Sequence, residues 1–376
     1  MIPQVMHPMF PRPIHDEEAR QDFVNDFRAH LASRVVPGHA QTYAKRALPA
    51  FVKQNKREPK DRHEVRRVMT QDSYYQLWSA MQRNSQEMIW DSVIDSVERQ
   101  LPDLMQRAGD IKGKGSLTLN PALQIPRYHA AADIHLQPGA YHADFGANDV
   151  SAGAVYDRGT FIYSMGGLGE HNDGLGRILH KFFRKTWPDR RIQRVLDMGC
   201  TVGGSVTFWS QQEPGVEFYA IDIGAACLRY GHARAKAVGG AVHFSQQNAE
   251  KTNFADASFD LVTSHIMLHE TSRTAIQNIM TESHRLLKPG GLMLHLDLPQ
   301  AAGHSPLDAF LYDWEIYNNN EHFYGLMRDL DFPEICAKAG FDRAKYKHYQ
   351  VSSGWDDGQT PYSDGDFMFS VYTAEK

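Results

Sequence analysis

The sequence predicts an α/β fold in which a mainly parallel sheet of seven strands carries helices on both faces, preceded by an N-terminal helical domain. From Leu175 onward, strand-like runs alternate with helical patterns, which is typical of βαβ crossovers and a parallel sheet. Residues 17–110 instead show apolar residues at helical spacing. Because 376 residues exceed one ordinary domain, we expect a helical domain at 1–110, an irregular connector or lid at 111–174 and an α/β domain at 175–376.

The composition is that of an ordinary soluble globular protein, with 42% apolar and 23% charged residues. No apolar stretch approaches the roughly 20 residues that span a bilayer, and the N-terminus lacks the basic-then-apolar order of a signal peptide. Cys200, Cys227 and Cys336 are too widely spaced for a CxxC metal site and odd in number for a disulfide framework. We therefore expect a cytoplasmic protein with no membrane partner, and the net charge of -5 argues against a nucleic-acid partner.

The clearest helix of the N-terminal domain begins after Asp72 and Ser73, which both suit an N-cap. Its apolar residues form one stripe, which favours core packing or a homodimer contact over ligand binding. The stripe comprises Tyr74, Leu77, Trp78, Met81, Met88, Ile89, Val93, Val97 and Leu101. The preceding segment VKQNKREPKDRHEVRRV has seven basic and three acidic residues, which is more typical of a solvated helix face than of nucleic-acid contact.

The connector at 111–174 is rich in glycine and lacks a clear periodicity, which is uncommon for so long a segment unless it is functional or disordered. Its tyrosines and aliphatic residues supply too much apolar surface for disorder, so we expect a partly extended lid over a site. His129, His135, His142 and Asp144 match no standard set of metal ligands, and hydrogen-bonded or solvated histidines are expected there.

The segment after Leu175 is predicted to contain seven strands with helices between most of them. The strands are RVLDMG, EFYAID, AVHFSQQ, FDLVTSHI, LMLHLDL, RAKYKHYQ and DFMFSVYTAE, and the helices fall at about 203–212, 225–237, 273–287 and 332–339. The last two strands follow each other without a helix, so one edge of the sheet is expected to be antiparallel.

A glycine-rich loop follows the first of these strands, in RVLDMGCTVGG. Ligands of open α/β sheets lie beyond the carboxyl ends of the strands, where glycines let the backbone approach closely. Asp197 lies in this stretch, and Asp222 ends the next strand, where a carboxylate can accept both hydroxyls of a ribose. The loop lacks the GxGxxG of a dinucleotide site and the GK[ST] of a P-loop, so a different nucleoside ligand is indicated.

Four motifs in order resemble the class I S-adenosylmethionine-dependent methyltransferases, specifically the small-molecule branch similar to ubiquinone and menaquinone methyltransferases. VLDMGCTVGG looks like that family's VLDxGCGxG, and AIDIG looks like the segment that carries its ribose acid. QQNAEKTNFADASFDLV and ESHRLLKPGGLMLHLDL are similar to its GDAExLPFxDxSFDxV and RvLKPGG segments. The resemblance covers about residues 190–300 and implies a Rossmann-like sheet with S-adenosyl-L-methionine as cofactor and S-adenosyl-L-homocysteine as product. A Rossmann-like turn that holds another nucleoside stays open as the alternative.

The resemblance also implies a role for the glycine-rich loop. Gly199, with the loop through Cys200 and Thr201 to Gly203, would contact the methionine part of the cofactor, and Asp197 would lie beside it. Thr201 stands where the family usually has glycine, so we expect the backbone path to differ there in detail.

The rest of the cofactor site is implied by the following motifs. Asp222 would bind the ribose hydroxyls, and Ile223 would pack on the adenine. Asn248 and Ala249 occupy the place of the family's Asp-Ala pair, and the amide oxygen of Asn248 would accept a hydrogen bond from the adenine amino group. His265 would lie beside the methyl group.

Methyl transfer from a sulfonium requires an aligned acceptor, exclusion of water and, where the acceptor carries a proton, a base. The catalytic candidates are His265, His269 and Glu270 in TSHIMLHE. His265 is the preferred base, whereas His269 is equally consistent with a structural or gating role. The spacing HxxxHE is not the HExxH of zinc enzymes, so no metal is expected.

The acceptor is expected to lie under the connector and under the insertion HSPLDAFLYDWEIYNNNEHFYGLMRD. Tyr156, Tyr163, Trp314, Tyr317 and Tyr324 offer aromatic faces for a flat substrate or for the sulfonium, with hydrophobic packing as the alternative for each. The small-molecule acceptor is therefore expected to be partly aromatic.

Two other functions compete with this interpretation. A nucleic-acid methyltransferase usually carries [DN]PP[YF] or a Pro-Cys nucleophile, and neither occurs after FDLVTSHI. A protein that binds S-adenosylmethionine without methylating, either a regulator or a cyclase-type enzyme, is not excluded by the residues.

Overall fold

The N-terminal part of the chain is helical, as predicted. The computed structural model describes residues 3–353 and 367–376. The α-helices are α1 His15–His30, α2 Gly38–Thr42, α3 Leu48–Asn55, α4 Arg62–Met69 and α5 Ser73–Asp110, with π-helical turns at Leu31–Val35 and Tyr43–Ala47. Within the described ranges, no helix combines the length and the apolar character that crossing a membrane requires.

Helix α5 is the long helix that the sequence predicts. Its N-cap is Asp72, whose carboxylate accepts a hydrogen bond of 2.9 Å from the backbone N–H of Tyr74. In the middle of the apolar stripe, Ile89 and Val93 are fully buried inside the chain, whereas Leu77 near its start is 61% exposed. Most of the stripe therefore packs within the chain, and the homodimer contact stays a prediction.

The connector is more regular than the sequence predicts. It contains α6 Arg127–Ala130, a 3-10 turn at Ile134–Leu136 and the four-turn helix α7 Ser151–Tyr163. The expectation of an irregular segment is wrong for α7 because two glycines weaken its helical pattern. A Cβ at Gly153 would lie 2.4 Å from Tyr230, and one at Gly159 would lie 2.3 Å from the ring of Trp90. The glycines therefore let α7 pack closely against its neighbours.

Within residues 3–353 and 367–376 the sheet has eight strands, one more than predicted. They are β1 Ser116–Thr118, β2 Arg194–Met198, β3 Glu217–Asp222, β4 Val242–Gln246, β5 Phe259–His265, β6 Leu287–Asp297, β7 Lys347–Ser352 and β8 Met368–Glu375. Their order is β1-β4-β3-β2-β5-β6-β8-β7, parallel from β1 to β6, with β8 antiparallel to β6 and β7. This confirms the mainly parallel sheet and its antiparallel edge. The sequence shows no signal for β1 because this strand is only three residues long and lies in the connector. The last predicted strand begins at Asp366, which lies outside the described residues.

Helices cover both faces of the sheet. The α-helices that follow the connector are α8 Gly174–Thr186, α9 Gly204–Gln212, α10 Ala225–Ala237, α11 Arg273–Leu286, α12 Pro306–Tyr312, α13 Trp314–Asn318, α14 Tyr324–Met327 and α15 Phe332–Lys338. Neighbouring residues of β2 point to opposite faces, because side chains alternate along a strand. Val195 packs with residues of α8, α9 and α10, and Leu196 packs with residues of α11 and α15. This confirms the predicted helix-covered sheet.

The insertion that carries α12 to α14 is tied to the N-terminal helices by a buried ion network. Asp313 accepts from Arg62 of α4 at 3.0 Å and from Arg328 at 2.6 Å. Arg62 also pairs with the half-exposed Asp329 at 2.6 Å. The insertion, the connector and the N-terminal helices therefore form one cover above the carboxyl ends of the strands.

Candidate active site

A cavity of 620 Å³ lies at the carboxyl ends of the parallel strands, beneath this cover. This is where ligands bind in open α/β sheets. Most of the residues predicted to contact a cofactor line it, namely Gly199, Thr201, Asp222, Ile223, Asn248, Ala249 and His265. Cys200 and Gly203 shape the loop instead, and Asp197 lies behind His265.

The glycine-rich loop is bent so that it requires small residues. Gly199, Thr201 and Gly203 all have positive φ, at 69°, 47° and 68°. A Cβ at Gly203 would lie 2.7 Å from the ring of Phe244, and one at Gly199 would lie 2.3 Å from Met267. The backbone N–H groups of Gly199 and Cys200 both donate to Ile221 O, which fixes the loop on β3. The result is bare backbone facing the cavity.

Asp222 at the end of β3 is buried beside this loop. Its two oxygens accept hydrogen bonds from the backbone N–H of Thr201 at 2.9 Å and of Gly224 at 2.8 Å. Each carboxylate oxygen can accept more than one hydrogen bond, so both can still bind ligand hydroxyls. Burial raises the pKa of Asp222 to about 6, although the backbone donors oppose this. A carboxylate buried without an ionic partner suits a ligand that supplies hydroxyl donors.

Asp197 and His265 form a hydrogen-bonded pair at the ends of β2 and β5. His265 Nδ1 lies 2.9 Å from Asp197 Oδ1 and donates to it, since an ionised carboxylate can only accept. Thr263 Oγ1 donates to the same carboxylate oxygen at 3.0 Å. His265 Nε2 is buried, with no hydrogen-bond partner among the residues that the structure describes. The pair thus leaves one imidazole nitrogen without a described partner, in a side chain that lines the cavity.

Asn248 lines the cavity, but its amide oxygen already caps a turn. Its Oδ1 accepts from the backbone N–H of Glu250 at 2.8 Å. An amide oxygen has two lone pairs, so the predicted bond from an adenine amino group needs the second one.

A second group of titratable residues lines the cavity at the end where the turn after β5 meets the connector and the insertion. His269 Nδ1 lies 2.7 Å from Asp297 Oδ1, and His135 lies 3.2 Å from Glu270 and 3.0 Å from Glu321. Burial lowers the pKa of His269, but Asp297 and the neighbouring carboxylates outweigh burial and raise it to about 9. Burial also lowers the pKa of His135, but the carboxylates of Glu321 and Glu270 outweigh burial and raise this pKa well above its ordinary value. The field at this end of the cavity therefore favours a cation.

Three of the five predicted aromatic residues line the cavity: Tyr156, Tyr163 and Tyr324. Trp314 does not, because it is buried against Trp78 of α5 and donates to Ser79 Oγ at 2.8 Å. Tyr317 is 51% exposed, with the guanidinium of Arg66 3.3 Å above its ring. The expectation that Trp314 and Tyr317 contact a substrate is corrected accordingly.

Among the cavity residues with no site role in the sequence analysis are His135, Tyr141 and Glu321. Tyr141 OH donates to Glu270 Oε1 at 3.1 Å, and Glu321 is 2% exposed. They come from the connector and from the insertion, whose sequences match no motif. The only available signal was the unusual number of aromatic residues and histidines in the connector.

Comparison with known proteins identifies residues 195–291 as a methyltransferase domain. The chain is 36% identical over 106 residues to a malonyl-[acyl-carrier protein] O-methyltransferase of Enterobacter lignolyticus, a match that covers 28% of this chain and 39% of that protein. It is 25% identical to ubiquinone/menaquinone biosynthesis C-methyltransferases of Dinoroseobacter shibae and Rhizobium leguminosarum, covering 49% and 61% of this chain and 84% and 99% of theirs. These matches confirm the predicted resemblance to class I S-adenosylmethionine-dependent methyltransferases, and with it the enzyme class and the cofactor.

Solved structures are similar as well. A Haemonchus contortus phosphoethanolamine N-methyltransferase 2 in complex with S-adenosyl-L-methionine shows 19% identity and a TM-score of 0.44, over 58% of this chain and 57% of that one. The YcgJ protein of Bacillus subtilis shows 20% identity and a TM-score of 0.37, over 55% of this chain and 97% of that one.

Proposed function

We propose that this methyltransferase-domain protein transfers a methyl group from S-adenosylmethionine to a small, partly aromatic acceptor inside the 620 Å³ cavity. The observation that carries the proposal is that one cavity is lined both by Asp222 and by His265, whose Nε2 has no hydrogen-bond partner among the described residues. The first suits a nucleoside, and the second suits removal of a proton.

The residues present fit the cofactor. The glycine-rich loop brings the backbone of Gly199 and Thr201 to the cavity wall, and Asp222 has spare lone pairs for the ribose hydroxyls. Ile223 and Ala249 line the same part of the cavity and would flank the adenine, with Asn248 at its edge. When bound, the cofactor supplies an electrophilic methyl group on a sulfonium.

His265 is proposed as the base for an acceptor that carries a proton. Asp197 takes the hydrogen bond from Nδ1, which fixes the tautomer and leaves Nε2 unprotonated toward the cavity. Asp197 then stabilises the imidazolium that forms when Nε2 takes the proton. His265 accepts this proton and Asp197 stabilises its charge, while the cover above the strands excludes water.

The acceptor is proposed to be flat in part because Tyr156, Tyr163 and Tyr324 line the cavity. Burial raises the pKa of Tyr156 and of Tyr163, so both rings stay neutral and act through their faces and hydroxyl groups. A cytoplasmic location and a homodimer through α1 to α5 belong to the same proposal, and the mass of the protein in solution tests the dimer.

Replacement of His265 tests the catalytic proposal. Purified His265→Asn protein is screened against phenolic, quinol and carboxylic acceptors with methyl-labelled cofactor, in parallel with wild type and with His129→Asn. We expect the loss of a base to lower turnover by about 10²–10⁴-fold while the affinity for S-adenosylhomocysteine changes little. Turnover equal to wild type contradicts the base, and a matching loss of cofactor affinity shows that His265 binds the cofactor instead. Tight cofactor binding with no turnover on any acceptor favours a protein that binds without methylating.

A further inference from the structure

Four side chains meet where the turn after β5, the connector and the insertion line the cavity, and we call them the His-Glu cluster: His135, His269, Glu270 and Glu321. His135 comes from the connector, His269 and Glu270 from the turn after β5, and Glu321 from the insertion. All four line the cavity. One ligand atom each of His135, His269 and Glu270 lies within 4.8 Å of the other two. Three separate parts of the chain thus bring imidazole nitrogens and carboxylate oxygens to one point.

Hydrogen bonds leave two atoms of this cluster without a partner among the described residues. His269 Nε2 lies 4.0 Å from Glu270 Oε1 and 3.8 Å from Glu321 Oε2, which is too long for a hydrogen bond. His269 Nε2 and Glu321 Oε2 are both buried, and neither has a partner within residues 3–353 and 367–376. Both side chains are only 1% exposed. Leaving such groups unpaired costs about 1–3 kcal/mol each, and more for charged groups, so a ligand that bonds to these atoms would stabilise the cluster.

The spacing of these atoms suits a metal ion. Ligand atoms bound at about 2.0–2.2 Å lie roughly 3–3.5 Å apart around one ion. Glu270 Oε1 lies 3.2 Å from His135 Nε2 and 4.0 Å from His269 Nε2. His269 Nε2 lies 3.8 Å from Glu321 Oε2. Only small movements of the side chains are required to bring these atoms into that range.

The surroundings orient the ligands as metal sites do. The other ring nitrogen of His269 is held by Asp297, and that of His135 contacts both Glu321 at 3.0 Å and the side-chain amide of Asn319 at 2.9 Å. Metal-bound histidines usually donate their second N–H to a carboxylate in this way. His135 has a φ of 55°, which is unusual for a residue other than glycine, and its carbonyl accepts from Gln86 at 3.0 Å and from Trp90 at 2.7 Å. The fold therefore holds His135 in a strained conformation that presents its ring to the cluster.

We propose that the His-Glu cluster binds a divalent first-row transition ion through His135, His269 and Glu270, with the Glu321 carboxylate beside it. Two imidazoles with one or two carboxylates suit zinc or ferrous iron better than magnesium or calcium, which prefer oxygen ligands alone. The sequence does not reveal the site because HxxxHE is incomplete without His135, which lies far away along the chain.

The ion would lie on the wall of the proposed methyl-transfer cavity. In that position it can polarise an oxygen or nitrogen atom of the acceptor and so assist loss of its proton. This role rests on the proposed function, whereas the binding of the ion does not.

Cobalt(II) alone serves as the probe, because its visible spectrum reports nitrogen and oxygen ligands. Full-length protein is stripped with a chelator, dialysed against cobalt(II) and measured by visible absorption and elemental analysis. We expect one ion per chain for wild type and for the control His129→Gln, which alters a histidine of the same cavity outside the cluster. Binding by His135→Gln and Glu270→Gln is expected to weaken at least about tenfold, and by Asp297→Asn about 10–100-fold.

Circular dichroism and S-adenosylhomocysteine titration of each variant establish that it is folded. If Asp297→Asn does not fold, His135→Gln carries the test, since its side chain is partly exposed. Absence of stoichiometric cobalt in wild type, or unchanged cobalt affinity in both His135→Gln and Glu270→Gln, overturns the proposal. Protein that binds S-adenosylhomocysteine but no cobalt contradicts only the metal site, and protein that binds cobalt but no S-adenosylhomocysteine contradicts only the proposed function.

Discussion

Replacement of Asp222 by asparagine probes the cofactor site at its most specific residue. The carboxylate accepts from the N–H groups of Thr201 and Gly224 and has lone pairs left for both ribose hydroxyls. An asparagine side chain has the same shape as aspartate but only one acceptor oxygen. Its NH₂ group would face a backbone N–H or a ribose hydroxyl that needs an acceptor. At least one hydrogen bond from the ribose to a charged acceptor is therefore lost.

The size of the effect follows from that bond. Hydrogen bonds to charged groups contribute about 1.5–3 kcal/mol, so Asp222→Asn should weaken binding of S-adenosylhomocysteine by roughly 10–150-fold at pH 8. The pKa of Asp222 is raised from 3.8 to about 6 by burial. Because only the ionised form accepts both hydroxyls, wild-type affinity should fall by about tenfold between pH 7 and pH 5. Affinity of the variant should stay constant over that interval.

The raised pKa also gives the sign of an effect on stability. The folded state holds the proton of Asp222 more tightly than the unfolded state, so this group stabilises the fold below pH 3.8. Its contribution is lost as the pH rises through about 6. The loss amounts to roughly 3 kcal/mol. The free energy of unfolding of Asp222→Asn relative to wild type should therefore rise between pH 4 and pH 6 and stay level above.

Isothermal titration at pH 5, 6 and 8 measures the affinities, and urea unfolding over the same range measures the stabilities. Asp256→Asn is the control, because Asp256 is exposed and pairs with Arg285 away from the cavity. Equal cofactor affinity in wild type and Asp222→Asn, or a wild-type affinity independent of pH from 5 to 8, refutes the assignment of Asp222 to the ribose.

Two further predictions concern stability. Gly203→Ala should lower the free energy of unfolding by about 1–3 kcal/mol because its Cβ would lie 2.7 Å from a phenylalanine ring. Gly215→Ala, also at positive φ but with open space around it, should cost clearly less in the same urea titration, and equal costs would contradict the packing argument. Asp313→Ala should cost about 3–5 kcal/mol since it leaves the buried guanidinium of Arg328 unpaired. Asp329→Ala removes a half-exposed partner of the same network, so it should lower the melting temperature much less than Asp313→Ala does. A larger loss for Asp329→Ala than for Asp313→Ala would disprove the buried network as the stabilising feature.

The sheet and the bend of the glycine-rich loop were predictable because their signals are local. The strands from RVLDMG to LMLHLDL are short apolar runs bounded by turns, and the helix predicted at about 225–237 is α10 Ala225–Ala237. Gly199 and Gly203 are needed for backbone angles that few other residues adopt, so their role also shows in the sequence.

The rest depends on contacts between distant parts of the chain. Helix α7 contains glycines whose purpose is visible only once Trp90 and Tyr230 lie against them. Trp314 and an active-site tyrosine look alike in sequence, and only the packing of α5 against the insertion buries Trp314. His135 reaches the cavity because Gln86 and Trp90 hold its carbonyl, which no spacing rule describes.

A crystal structure of the protein with S-adenosylhomocysteine tests the central claim most directly. We expect the ribose hydroxyls within hydrogen-bond distance of the Asp222 carboxylate, the adenine between Ile223 and Ala249, and the sulfur facing the part of the cavity that His265 lines. A nucleoside bound elsewhere, or density for none at saturating ligand, would contradict the assignment of this cavity to methyl transfer.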